Sequence, residues 1–120
     1  MKESLVSEKS LNFAVRIVNL YKHLCDEHKE YVLSKQVLRS GTSVGANIKE
    51  ALYGQSKADF TSKMSISLKE ISETEYWLEL LMKTEYLTES EYESIQNDCS
   101  EIAKMLTAIV KSSRNTANKV

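Results

Sequence analysis

The sequence predicts an all-α protein, an antiparallel up-down-up-down four-helix bundle. The chain of 120 residues contains three glycines and no proline, a composition that favours long uninterrupted helices. Apolar residues recur three and four positions apart, as on a helix with one buried face. Short polar segments divide this pattern into four stretches, and helices joined by short turns pack antiparallel. The length fits a single domain over residues 1–120.

The first two helices are predicted over about residues 5–26 and 31–54, on either side of a polar connection. The second helix contains Gly41 and Gly45, and a glycine inside a helix costs about 1 kcal/mol relative to alanine. Because these glycines lie four residues apart on one face, we expect a neighbouring backbone to come unusually close there. The residues assigned to helix close packing or to a subunit interface are Ser40, Gly41, Ser43, Val44, Gly45, Asn47 and Trp77.

The third helix is predicted over about residues 57–84 and the fourth over about 89–111. Ser56, followed by Asp59 at the third helical position, is typical of an N-terminal cap. Thr88 and Glu91 repeat this pattern before the fourth helix. The polar residues 112–120 are predicted to form a frayed tail.

A polar network is predicted between the second and third helices. The antiparallel return places Arg39 opposite Glu70 and Glu73. Two interpretations stay open at this point. The three residues are either a solvated charged face or an Arg–carboxylate network that joins helices or subunits and fixes their register.

Charge is distributed unevenly along the chain. Residues 1–69 carry eleven Lys and Arg against seven Asp and Glu, residues 70–101 carry one against ten, and residues 102–120 carry four against none. With a net charge of −1 and a pI near 6.1, the molecule has no overall basic surface of the kind that marks nucleic-acid-binding domains. Nucleic acid would have to bind the first half or the tail. The candidate contacts are Lys35, Arg39, Lys49, Lys57 and Lys63.

The sequence offers no constellation typical of an active site. The only histidines, His23 and His28, do not follow a glutamate by three residues, so a two-metal carboxylate centre lacks ligands. Cys25 and His28 could contribute two zinc ligands, but no second pair exists. The glycines of the second helix also lack the spacing of a phosphate-binding loop. We therefore expect a non-enzymatic protein with no catalytic residue, metal or cofactor.

The cellular compartment follows from the cysteines and from the absence of long apolar segments. Cys25 and Cys99 are interpreted as reduced thiols packed in the bundle. The first ten residues lack the apolar core of a signal peptide, and no segment is apolar over the length of a membrane span. These features predict a cytoplasmic protein that makes no membrane contact.

The segment LSKQVLRSGTSVGANIKEA, residues 33–51, resembles the four-helix bundle proteins of the 23S rRNA intervening-sequence family. The resemblance extends from residues 13–17 to Leu87 and includes the motif YWLELL at residues 76–81. Its most specific residues are Gln36, Arg39, Ser40, Ser43, Gly45, Ala46, Asn47, Ile48 and Glu50.

The resemblance implies an antiparallel bundle that assembles into a ring-like homopentamer. Similar proteins include the accessory variability determinant of diversity-generating retroelements, a basic pentamer that binds a reverse transcriptase and nucleic acid. The present chain lacks that strong positive charge. Our first hypothesis is a homo-oligomeric scaffold or adaptor for a protein or a ribonucleoprotein. The alternative is a nucleic-acid-binding accessory factor that acts with an RNA or a reverse transcriptase through bases on helices two and three.

Overall fold

The computed structural model describes residues 2–118 and confirms the all-α four-helix bundle. Helix α1 spans Lys2–His28, α2 Leu33–Leu52, α3 Lys57–Lys83 and α4 Glu89–Asn118. Helices consecutive in sequence pack side by side, and α4 closes the bundle against α1. The bundle measures 53 × 22 × 21 Å. Among residues 2–118, no helix combines the length and apolarity needed to cross a bilayer.

Local hydrogen bonds explain where the helices begin. Ser56 Oγ accepts a hydrogen bond from the Asp59 amide at 3.0 Å and caps α3, as the sequence predicts. Thr88 Oγ1 accepts from the Glu91 amide, and the Glu91 carboxylate accepts from the Thr88 amide, which forms the predicted capping box of α4. At α2, the Glu30 carboxylate accepts from the Ser34 amide at 2.8 Å, a cap that the sequence pattern did not reveal.

One hydrophobic core runs the length of the bundle, because each helix directs its apolar stripe inward. Small polar side chains are buried with it, among them Ser10, Ser34, Ser40, Ser67 and Thr74. The largest fully buried side chains are Val6, Phe13, Ile17, Leu24, Val37, Ile48, Met64, Ile71, Leu78, Leu81, Ile102 and Leu106.

The predicted frayed tail is wrong for residues 112–118, because α4 continues to Asn118. Ser113 is buried, and its Oγ shares a hydrogen bond with Thr61 Oγ1 on α3. Arg114 Nη2 also donates to Ser65 Oγ on α3 at 3.3 Å. Polar contacts therefore hold this part of α4 against α3, so the apolar pattern stops before the helix does. Residues 119–120 of the predicted tail lie outside the described residues.

The starts of α3 and α4 fall at the predicted residues 57 and 89, and the remaining boundaries are off by one to three residues. Helix α1 begins at Lys2 rather than near residue 5, and α2 is two residues shorter than predicted at each end. Helix α3 ends at Lys83, because Glu85 adopts a positive φ of 70° in the turn that follows.

Candidate interaction surfaces

The glycines of α2 face α1 and allow the two helices to approach closely. A Cβ built on Gly41 would lie 2.8 Å from Cγ1 and 2.9 Å from Cγ2 of Ile17, closer than real side chains come. A Cβ on Gly45 would lie 3.4 Å from Cβ of Ser10 and 3.5 Å from its backbone carbonyl, which is ordinary contact. The close approach expected from the sequence is therefore tight at Gly41 and looser at Gly45.

The small residues of α2 near these glycines form two groups: some are bonded to α3, and the others are bonded within α2. Ser67 Oγ on α3 donates to the carbonyl of Val44 at 2.8 Å. Thr74 Oγ1 on α3 lies 2.9 Å from Ser40 Oγ, to which it donates. Both contacts are buried, so they fix the register of α2 against α3.

The side chains of Ser43 and Asn47 are bonded within α2. Ser43 Oγ donates to the carbonyl of Arg39 at 2.6 Å, and Asn47 Nδ2 donates to the carbonyl of Ser43 at 2.8 Å. Trp77, the remaining close-packing candidate, packs half-buried against the core, and the adjacent Tyr76 is 61% exposed. Asn47 and Ser43 thus use backbone partners of their own helix.

Arg39 joins α2 to α3 at the surface of the molecule. Its Nη1 lies 3.1 Å from Glu70 Oε2, and its Nη2 pairs with Glu73 Oε2, which also accepts the Trp77 indole N–H at 2.9 Å. The bond from Trp77, together with Arg39, lowers the pKa of Glu73. The Arg39 side chain is 51% exposed, so the network links two helices of one chain and is also solvated.

A second set of ion pairs crosses the α1–α4 seam and was missed in the sequence. Arg16 Nη1 lies 2.7 Å from Asp98 Oδ2, and its Nη2 donates to Ser94 Oγ at 3.0 Å. Lys9 pairs with Glu101 one turn further along α4. Lys9 and Arg16 lie seven residues apart, hence on one face of α1, and this spacing was the available signal.

The outer surface between α1 and α2 is apolar and open to solvent. Leu11 is 66% exposed, Val15 53% and Leu52 40%. A groove of about 650 Å³ runs between the two helices, and its walls include Leu11, Leu52 and the small residues Ala14, Gly45 and Ala46. We refer to this feature as the α1–α2 groove. Exposed apolar side chains gathered around a groove are typical of an interface.

The five bases suggested as nucleic-acid contacts do not form one surface. Arg39 is paired as described, and Lys63 Nζ lies 3.2 Å from Glu50 Oε1. Lys49 lies over the Tyr53 ring, 5.7 Å from its centroid, and borders the α1–α2 groove. Lys35 is in the first turn of α2 and Lys57 begins α3, at opposite ends of the antiparallel bundle. The charges are therefore dispersed, and two of the five are neutralised by carboxylates.

Comparison with known proteins identifies the family. The family model described as "23S rRNA-intervening sequence protein" matches residues 2–108. The chain belongs to this family. The matched residues include the whole of α2, whose contacts with α1 and α3 are described above.

A similar solved structure supports the fold of this chain. It is a protein of unknown function from the S23 ribosomal protein family of Bacteroides thetaiotaomicron VPI-5482. The two sequences are 64% identical, the match covers 92% of this chain and 99% of that chain, and the TM-score is 0.91. No match is found among curated proteins.

The two cysteines lie in different surroundings, since Cys99 is buried and Cys25 is half-buried. Burial raises the pKa of the Cys99 thiol, which donates to the Ile71 carbonyl at 3.7 Å. Cys25 Sγ lies 3.7 Å from Ser34 Oγ, and the ring of His28 packs edge-on against His23 and Tyr86. Across the part of the chain that the structure describes, no three His, Cys, Asp or Glu residues are grouped as metal ligands would be.

Proposed function

We propose that this protein is a cytoplasmic, non-enzymatic homo-oligomer, assembled as a pentamer, that acts as a scaffold or adaptor for another protein or a ribonucleoprotein. The observation that carries the proposal is the α1–α2 groove. The number five comes from the family resemblance and agrees with a cyclic assembly, in which one surface of each subunit meets a different surface of the next.

The groove favours a second copy of the chain as its occupant. Leu11, Val15 and Leu52 expose apolar area, and each Å² of such area removed from water stabilises an interface by about 25 cal/mol. Gly45, Ala14 and Ala46 leave the groove floor without bulk, so that a partner helix can approach closely. Its rim carries Glu8 and Lys49, one charge of each sign, which suits a surface of balanced charge such as that of this chain.

The variant Leu11→Lys tests the role of the groove. Because Leu11 is mostly exposed within one chain, the substitution should leave the bundle folded, with an unchanged far-UV circular dichroism spectrum. In the assembly it would bury an unpaired ammonium group, which is strongly unfavourable. We expect the mass measured by light scattering to fall to that of the 13.7 kDa chain.

Val32→Lys is the matched control. Val32 is 69% exposed in the connection between α1 and α2, outside the groove, so this variant should keep the mass of the unaltered protein. Equal masses for the Leu11 variant and the unaltered protein would exclude the groove as the interface. Loss of assembly in both variants would indicate that the added positive charge, rather than its position in the groove, prevents assembly.

The second hypothesis, nucleic-acid binding through the bases of α2 and α3, receives less support. Arg39 already forms ion pairs with Glu70 and Glu73, and Lys63 forms one with Glu50. Binding through that set would require breaking both ion-pair systems. Because the proposal places no nucleic acid on α2, a substitution of Lys35 should leave nucleic-acid binding unchanged.

A further inference from the structure

The bundle brings basic residues from the first half of α3 and the second half of α4 together. Hydrogen bonds from Thr61 to Ser113 and from Arg114 to Ser65 show that the first half of α3 lies beside the last part of α4. Residues 60–69 contain two lysines and no acid, and residues 102–118 contain three bases and no acid. Two segments that are distant in the sequence, the first half of α3 and the second half of α4, thus contribute positive charge to adjacent parts of the surface.

Four of these bases define what we call the α3–α4 basic face: Lys69, Lys104, Lys111 and Arg114. All four are exposed, and Lys69 and Arg114 border the same groove between α3 and α4. Lys104 and Lys111 are seven residues apart, hence on one side of α4. Within the side chains described, residues 3–116, none of the four forms an ion pair, whereas Lys9, Arg16, Arg39 and Lys63 all do.

Acidic residues mark the limits of this face. Glu75 borders the groove on the side of the acidic segment and is bonded by Gln96 at 3.3 Å. Lys57 does not belong to the α3–α4 basic face, because it borders a cleft that also contains Glu3. The three bases on α4 extend over ten residues, or about 15 Å, without an intervening acid.

Hydroxyl groups and an aromatic ring accompany the charges. Ser65 and Ser72 line the groove, and serine hydroxyls and basic side chains are the groups that commonly contact phosphate oxygens. Tyr76, which is largely exposed, follows Lys69 by seven residues and so lies on the same side of α3. Exposed aromatic rings near basic side chains are the groups with which proteins bind single-stranded nucleic acid.

We propose that the α3–α4 basic face binds the phosphate backbone of single-stranded nucleic acid, and that Tyr76 stacks on a base at its edge. This site is distinct from the α1–α2 groove and does not depend on the assembly proposed above. A chain of net charge −1 can present such a face, since ten of its seventeen acidic residues lie in residues 70–101.

The test is a titration of fluorescein-labelled single strands of about 20 nucleotides, oligouridylate and oligothymidylate, followed by anisotropy. Each neutralised phosphate of a single strand contributes about −0.7 to the slope of log affinity against log salt, so four contacts predict a slope near −3. Between about 50 and 200 mM salt the affinity should fall about 50-fold. Equal affinity for the two strands supports the site. A preference for the RNA strand also supports it and indicates additional contacts to the 2′-hydroxyl groups.

The variant carrying Lys69→Gln, Lys111→Gln and Arg114→Gln should flatten the slope to about −0.7, because one contact remains. The matched control carries Lys22→Gln, Lys35→Gln and Lys83→Gln, three exposed residues outside the face with the same total charge change. The control should bind as the unaltered protein does. Tyr76→Ala should weaken binding about tenfold and leave the slope unchanged, because it removes stacking and no charge.

Three results would overturn the site. One is no binding at about 50 mM salt, where electrostatic contacts are strongest. Another is a control variant that loses as much affinity as the triple variant, which would show that only net charge matters. The third is a triple variant that loses helical content or changes mass in light scattering, since the face would then serve folding or assembly.

Discussion

At the scale of single residues, Gly41 and Gly45 occupy equivalent positions one turn apart and meet different surroundings. Gly41 faces Ile17, which is fully buried and branched at Cβ, so that its side chain cannot rotate away. Gly45 faces the backbone of Ser10 at normal contact distance. The sequence predicts that α2 is closely packed, but it does not rank the two glycines, because the ranking depends on which residue of α1 lies opposite each.

The substitutions Gly41→Ala and Gly45→Ala should therefore differ in sign. Alanine at position 45 fits, and it should raise the free energy of unfolding by up to about 1 kcal/mol through helix propensity. Alanine at position 41 must displace Ile17, an overpacking cost of about 1 to 3 kcal/mol that outweighs the propensity gain. Chemical unfolding at one fixed protein concentration measures both, since assembly also stabilises the folded chain.

Each alanine variant is the other's control, because both exchange the same atoms in the same helix. Equal stabilisation by the two substitutions would show that Ile17 moves freely, and the close contact at Gly41 would then have no energetic meaning. A substitution larger than alanine at position 45, such as leucine, is expected to push α1 away from α2.

At the scale of the helix, the capping box of α4 makes part of the stability depend on pH. The bond from the Thr88 amide lowers the pKa of the Glu91 carboxyl below its ordinary value of about 4.3. A carboxyl with a lowered pKa in the folded state stabilises the fold above the unfolded pKa. That contribution is lost as the pH falls through the folded pKa.

Two variants separate the cap from its charge. Thr88→Ala removes the hydroxyl acceptor and should lower the free energy of unfolding by about 1 kcal/mol at neutral pH. Glu91→Gln keeps a side-chain acceptor but cannot titrate, so its stability should decline less between about pH 5 and pH 3 than that of the unaltered protein. Parallel declines for the two proteins would show that Glu91 carries no folding-linked proton.

Sequence patterns predict some features of the helices and miss others. The caps at Ser56 and Thr88 were predictable because they depend on residues three apart in the chain. The end of α4 was not, because Ser113 and Arg114 are held by α3 residues about fifty positions away. The buried bonds from Ser67 and Thr74 were missed for the same reason, whereas the Arg39 network followed from the antiparallel return and complementary charges.

At the scale of the whole molecule, folding rearranges a chain of nearly balanced charge into regions of opposite sign. The antiparallel order brings residues 57–69 and 102–118 to one end of α3 and α4, and the acids of residues 70–101 to the other. Composition alone indicated a poor nucleic-acid binder, and the candidate bases on α2 and α3 proved dispersed. Only the pairing of α3 with α4 identifies four bases that share a surface, so this site could not have been placed from the sequence.

The exposed apolar surface of α1 is also a consequence of which helices pack against each other. The sequence predicts apolar residues at helical spacing along α1, but it does not tell which of them the bundle leaves uncovered. The structure leaves Leu11 and Val15 exposed, while Phe13 and Ile17 on the opposite side are buried. The proposed assembly follows from this difference, since a surface that the bundle does not cover is available to a second copy.

The most direct test of the account is the native mass of the unaltered protein, measured by light scattering over a range of concentrations at about 150 mM salt. The account predicts a mass of about 68 kDa, five times that of the 13.7 kDa chain, from a ring closed through the α1–α2 groove. A mass equal to that of one chain at every concentration would contradict it.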